Sequence, residues 1–207
     1  MAKLPEPPPA TQLATIPAVE RALPVGTRCW RIYFQGGAHP GSWDALRGYG
    51  PTGARFDHHL PPARVQDRRV LYAAEQAATC LAEVFQDTRT IDRRRNDPWL
   101  VGFALIRPVT LLDLTGAWPT RAGASMAINS GPRSRARRWS QAIYEAYPTV
   151  EGLYYASSMN ANQPALALYE RAVDALPRRP LFHRALADAA LTGAIARAAQ
   201  RFNYAVV

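Results

Sequence analysis

The alternation of apolar and polar positions predicts a succession of strands and helices. Residues 28–34 read as an aromatic-rich strand, with Trp30, Ile32 and Phe34 on a core-facing side and Cys29, Arg31 and Tyr33 on the other. Residues 54–58 predict a short strand with Arg55 and Asp57 on one face. Residues 70–73 predict another, carrying Tyr72, which runs straight into an Ala-rich helix over 75–87. Ala77, Ala78, Leu81, Ala82 and Phe85 form the apolar side of that helix, and Gln76, Thr79, Glu83 and Gln86 a polar stripe. Periodicity alone points the stripe, Glu83 included, at solvent. Further strands are expected at 99–106, buried on both faces, at 109–114 and at 152–158. Residues 134–147 predict a helix with Trp139, Ala142, Ile143 and Ala146 inward, stopped by Pro148. Residues 165–171 fit a strand or a short helix. Residues 184–201 predict a helix with Leu186, Ala190, Ala194 and Ile195 inward, and 203–207 a closing strand.

The segments between carry their own signals. Residues 1–24 hold Pro5, Pro7, Pro8, Pro9, Pro17 and Pro24, which forbid regular helix. They read as an arm, either docked through Leu13, Ile16 and Val19 or left as a tail. Residues 35–53 are rich in Gly and Pro and predict a long, functional or disordered loop. Within it, residues 48–53 match G-x-G-x-x-G, but no strand precedes and no helix follows, so the dinucleotide fingerprint is rejected. The expected architecture is one α/β (α+β) domain over 25–207, with a mixed, mostly antiparallel sheet and packed helices.

Composition narrows the class. The chain has 207 residues, 48% of them apolar, enough for a single core. No apolar run suffices to cross a bilayer, and no secretion signal is evident. Cys29 and Cys80 form neither a disulfide framework nor a metal motif, so a cytoplasmic location is expected. His58 and His59 are adjacent; on a strand they would face opposite ways and could not share a metal. No metal site is expected. The net charge of +9 predicts attraction to anions. Arg93–Arg95, then Arg133, Arg135, Arg137 and Arg138, then Arg171, Arg178, Arg179 and Arg184 form clusters that read first as solvated faces.

The candidate chemistry lies in Arg31, Arg55, Tyr72, Glu83 and Ser157, with Tyr33, Ser158 and Asn160 nearby in sequence. No Cys/His pair is present, and the histidines show no acidic partner in sequence, which disfavours an activated nucleophile. Arginines hold diphosphates through charge-assisted bonds. Tyrosines stack on heteroaromatic rings. A carboxylate stabilises an oxocarbenium-like ribose as a glycosidic bond breaks. NAD, whose leaving group is already a cationic pyridinium, meets these requirements.

Five blocks carry a family resemblance: Trp30-Arg31-Ile32-Tyr33, Gly53-Ala54-Arg55-Phe56-Asp57, Leu71-Tyr72-Ala73, Leu81-Ala82-Glu83, and the run from Gly152 through Tyr155 to Ser157-Ser158. In this order and with this Tyr72–Glu83 spacing, residues 26–207 resemble the RES domain family, named for an arginine, a glutamate and a serine. The resemblance implies a fold like that of ADP-ribosyltransferases. It also implies a bacterial toxin that consumes NAD by phosphorolysis or hydrolysis and is neutralised by an Xre-type helix-turn-helix antitoxin. By the same resemblance Arg31, Glu83 and Ser157 are the catalytic positions. Arg31, Tyr33, Arg55, Tyr72, Ser158 and Asn160 are expected around the NAD, which is substrate rather than resident cofactor. Arg55 stands in a block that often reads Gly-Arg-Trp and here reads Ala-Arg-Phe. Whether Ser157 or Ser158 supplies the hydroxyl stays open, with alignment on Gly152 favouring Ser157. Phosphate or water is the expected acceptor. One alternative is ADP-ribose transfer to a protein. The other is a non-catalytic basic protein on nucleic acid, disfavoured because no helix pairs a basic face with a recognition motif.

Overall fold

The computed structural model describes residues 4–207. In chain order the helices are α1 (Ala10–Leu13), α2 (Ala77–Val84), α3 (Trp118–Arg121), α4 (Arg133–Ala146) and α5 (Thr192–Phe202). The strands are β1 (Glu20–Leu23), β2 (Arg28–Phe34), β3 (Arg47–Gly50), β4 (Arg64–Ala74), β5 (Thr90–Ile91), β6 (Pro98–Ala104), β7 (Val109–Asp113), β8 (Gly152–Ala156), β9 (Pro164–Tyr169), β10 (Phe182–Ala185) and β11 (Ala205–Val206). The main sheet runs β1-β7-β8-β9-β4-β2-β6-β10, with β3 added to β4. Every pairing in it is antiparallel except β7 with β8. This is the mixed, mostly antiparallel single α/β domain expected from the pattern. A small parallel pair, β5 with β11, closes the C-terminus.

The sheet is buried on both faces. One cluster gathers Ile32, Val70, Ala74, Leu153, Tyr155 and Ala167 against α2, α4 and α5; the other gathers Cys29, Leu71, Ala73, Phe103 and Leu166 on the opposite side. The period-2 alternation of β4 and β8 accounts for this division. β8 and β9 approach so closely that a Cβ at Gly152 would sit 2.3 Å from the Ala167 carbonyl oxygen. Only glycine leaves that room, which fixes the start of the strand leading to Ser157.

β4 organises the site. Its C-terminal half pairs with β9 from Val70 to Ala74, while its first half pairs with β3. It meets β2 only through Trp30 and Ala74. Past that point β2 and β4 part, and a cleft opens between them beneath α2.

Several local expectations are corrected. Residues 54–58 are a turn and coil rather than a strand, because Asp57 caps local groups instead of joining a ladder. It accepts from Thr52 N at 2.7 Å, Thr52 Oγ1 at 2.8 Å and His59 Nδ1 at 2.5 Å. Released from a strand, His58 and His59 stack on each other at 5.4 Å rather than facing apart. Both have acidic neighbours the linear sequence hid: Asp57 for His59, and Glu170 at 3.8 Å from His58 Nε2. The helix expected at 184–201 begins only at Thr192; before it the chain forms β10 and a 3₁₀ turn, since β10 fills the edge beside β6. Residues 165–171 resolve as strand, then a 3₁₀ turn from Glu170. The loop at 35–53 contains β3.

The N-terminal arm, in its described part, docks, and against the expectation of no helix it winds into α1 between Pro9 and Pro17, where no proline interrupts it. β1 pairs with β7, and Leu13 is fully buried. The Tyr147 hydroxyl donates to the carbonyls of Leu13 and Ile16 at 2.9 and 2.8 Å. Trp139 Nε1 donates to Pro5 O at 2.8 Å, and Glu6 accepts from Arg138. Residues 1–3 lie outside the described part.

Candidate active site

The polar stripe of α2 faces protein. Gln76 Nε2 donates to Gln163 Oε1 at 2.6 Å. Thr79 Oγ1 accepts from Asn160 Nδ2 at 2.8 Å. Glu83 Oε1 accepts from Ser157 Oγ at 2.5 Å. Positions 76, 79 and 83 on the helix thus meet 163, 160 and 157 on the β8–β9 turn, one helical step at a time. The helix is held from its other side as well, because Cys80 Sγ donates to Trp30 O of β2 at 3.1 Å.

The carboxylate of Glu83 is satisfied at both oxygens. Gln86 Nε2 donates to Oε2 at 3.3 Å and to the Glu83 carbonyl at 2.6 Å. Ser157 Oγ in turn accepts from the amides of Met159 and Asn160, at 3.2 and 3.1 Å. Asn129 fixes the strand end beside it, donating to Leu114 O and accepting from Ala156 N.

This unit borders a cavity of about 460 Å³ lined by Arg31, Arg47, Arg55, Tyr72, Glu83, Asp87, Asn129, Arg133 and Tyr155 among others. Its size suits a nucleotide-sized ligand. Tyr72 and Tyr155 carry the apolar surface, and burial raises both phenol pKa values. The Tyr72 hydroxyl is buried close to the Arg47 guanidinium without a well-formed hydrogen bond. Phe56 packs on Tyr155 at 4.7 Å, so the residue after Arg55 anchors that segment to the cavity wall.

The arginines differ in how they are held. Arg31 Nη1 donates to the carbonyls of Trp43 and Ala45, both at 3.0 Å, and burial lowers its pKa to about 10. It therefore stays cationic at neutral pH and also pins the loop before β3. Arg47 pairs with buried Asp57 at 3.0 Å. Arg55 Nη1 donates to Gly131 O at 2.5 Å; its pKa is lowered by burial against the opposing pull of Glu83. Arg133 meets Asp87 at 3.1 Å.

Of the expected residues, Arg31, Arg55, Tyr72 and Glu83 line one cavity, and Ser157 is bonded to Glu83 behind its wall. Tyr33 does not join them. Its hydroxyl lies 2.7 Å from both His183 Nε2 and Gln35 Nε2, because the ring, on the same face of β2 as Arg31, leans across β6 toward β10 and away from the cavity. Ser158 is exposed, whereas Ser157 is fully buried, which resolves the choice of hydroxyl bonded to Glu83. Asn160 is buried against Thr79 and supports the turn rather than lining the cavity. Sequence reasoning missed Arg47, Asn129, Arg133 and Tyr155 as lining residues. Strand alternation from Ser157 back to Tyr155 could have found the last. Arg133 was lost among its neighbours in a basic cluster, and Arg47 within a loop. No cluster of metal-ligating side chains occurs among the described residues.

The RES domain model matches residues 28–187, most of the chain and every residue of this cavity. The chain belongs to the RES domain family. The RES fold is also seen in a chain of the crystal structure of the M. tuberculosis MbcT–MbcA toxin–antitoxin complex. That likeness has a TM-score of 0.54 at 15% identity and covers 84% of this chain and 90% of that one. No curated protein sequence matches the chain. The RES match spans both β2 and β4, the strands between which the cleft opens.

Proposed function

We propose that this RES domain cleaves the nicotinamide–ribose bond of NAD. The observation that carries the reading is the 2.5 Å bond from Ser157 to Glu83 at a cavity that also holds Tyr72, Arg31 and Arg55. Tyr72 and Tyr155 offer π surface to the nicotinamide or adenine ring. The arginines hold the diphosphate. Glu83, its two oxygens engaged by Ser157 and Gln86, is aimed rather than free to rotate.

As the C1′–N1 bond breaks, its electron pair leaves with nicotinamide, which becomes neutral and needs no acid. Positive charge then grows on the ribose ring. The Glu83 carboxylate stabilises that charge in place, with no reorganisation at the moment of reaction. Water attacking C1′ gives ADP-ribose and a proton; phosphate gives the 1-phosphorylated ADP-ribose. Arg31 keeps the β2–β3 loop against the cavity and contributes cationic potential.

A toxin role with a protein antitoxin as partner extends this reading, supported by the family and by the structural neighbour, a chain of a toxin–antitoxin complex. A cytoplasmic setting fits an NAD-consuming toxin. Among the described residues no helix is long and apolar enough to cross a membrane.

Purified protein incubated with NAD, with and without phosphate, tests the proposal through its products. Glu83→Ala should abolish NAD loss while circular dichroism and melting stay native-like. Unchanged turnover in that variant would sink the assignment.

A further inference from the structure

The cavity holds more cationic side chains than Glu83 can balance. Arg31, Arg47, Arg55 and Arg133 line it, against Glu83 and Asp87. Three of the four are tied into the protein: Arg31 to loop carbonyls, Arg47 to buried Asp57, Arg55 to Gly131 O. Arg133 is held differently. It pairs with Asp87, whose side chain is 77% exposed. Exposed ion pairs of this kind contribute little and exchange readily.

Arg133 opens α4, two residues after the carbonyl that receives Arg55. Arg133 lies close enough to Arg55 that its charge adds to burial in lowering the Arg55 pKa. Further along α4, Arg135 and Arg138 share the Glu6 carboxylate of the arm, at 2.9 Å and 2.5 Å. The first turn of α4 has no acidic residue and no side-chain cap, so its dipole adds to the same positive potential. The buried, unpartnered hydroxyl of Tyr72 stands in the same cavity as a further donor.

We propose that Arg55 and Arg133 form a phosphoryl-oxyanion subsite of this cavity, and that Asp87 is the internal anion Arg133 releases when the ligand arrives. The inference deepens the NAD reading and rests on it for the ligand's identity, but not for the oxyanion. Either the diphosphate of the dinucleotide or free phosphate could supply that oxyanion. No covalent step is involved; Arg133 exchanges one anion for another.

Calorimetry on the full chain tests this with pyrophosphate and inorganic phosphate as probes, on wild type, Arg133→Gln, Asp87→Asn and the double variant. A lost charge-assisted contact predicts roughly 10-fold weaker binding for Arg133→Gln. Asp87→Asn should tighten binding several-fold, roughly, by removing the competitor. The double variant should match Arg133→Gln alone. Tighter binding cannot arise from misfolding, so Asp87→Asn guards against that explanation. A response to pyrophosphate alone supports the subsite and assigns it to the dinucleotide; a response to inorganic phosphate supports it and assigns it to the acceptor. Equal binding of both probes by wild type and Arg133→Gln overturns the proposal, as does weaker binding by Asp87→Asn. Arg133-dependent pyrophosphate binding without any NAD loss supports the subsite and rejects the NAD reading.

Discussion

Removing one hydroxyl at Ser157 separates the aiming of Glu83 from its charge. In Ser157→Ala the carboxylate keeps its charge and its contact with Gln86 but loses the 2.5 Å donor on Oε1. A hydrogen bond to a charged group contributes about 1.5–3 kcal/mol. If that amount is felt in the transition state, kcat falls by roughly 10- to 150-fold. The same change leaves the amides of Met159 and Asn160 without their acceptor. Burying such groups unpaired costs about 1–3 kcal/mol, and at this chain length each kcal/mol lowers Tm by about 2–4 °C. The assay is NAD turnover measured well below the variant's own Tm, so that the two losses are read separately. Ser157→Thr keeps the hydroxyl and should recover most of the turnover. A Ser157→Ala enzyme within about threefold of wild type in kcat would refute the argument, since that leaves under 1 kcal/mol for the bond.

Two further outcomes follow from the same geometry. Tyr72→Phe deletes a buried hydroxyl that lacks a well-formed partner, so ligand-free protein should melt about 2–4 °C higher in a thermal scan; a lower Tm would show that the contact with Arg47 is a real bond. Acid should destabilise the fold in two stages, read by urea denaturation from pH 7 to pH 3. Burial lowers the pKa of His58, so the unfolded chain takes up that proton first and stability starts to fall as pH drops through about 6.5. Asp57 and Glu170 are both held at about 2, and both oppose desolvation: Asp57 by Thr52, Arg47 and His59, Glu170 by His58, Tyr144 and the Arg69 amide. Their contribution is present above the unfolded carboxylate range and is lost as pH falls through it toward 2. For Asp57 a drop from 3.8 to about 2 corresponds to about 2 kcal/mol. Flat stability between pH 7 and pH 5 would refute the first stage, and no further loss between pH 5 and pH 3 the second.

What could be read from the sequence follows the range of the interaction concerned. β2, β6, β7 and β8 were legible because each strand buries alternating or continuous apolar runs that need no distant partner to be recognised. α4 was legible for the same reason, from Trp139 and Ile143 at helical spacing. Residues 54–58 were misread because their conformation is set by Asp57, whose partners include Arg47, ten residues upstream in another element. Tyr33 was misplaced because alternation assigns it to the face of Arg31 but cannot say which neighbouring strand lies over it; His183 arrives from β10, 150 residues away. Arg133 sat in a run of arginines, and only the docking of Glu6 onto Arg135 and Arg138 shows that the run is not one solvated face.

Glu83 shows why periodicity alone gave the wrong side. A helix with four polar residues on one stripe is normally read as facing water, because burying polar groups without partners is costly. The rule fails when another element supplies those partners in register. The turn at 157–163 does so through Gln163, Asn160 and Ser157 in an order that runs against the helix. The register depends on β8 and β9 being paired down to Ala156 and Pro164, which sets the ends of the turn. It depends equally on β4 delivering α2 directly from Ala74, beside β9. The position of the carboxylate is therefore a property of the central strands of the sheet. Substitutions that loosen the β8–β9 pairing should act on turnover through Glu83 even where they touch no residue of the cavity.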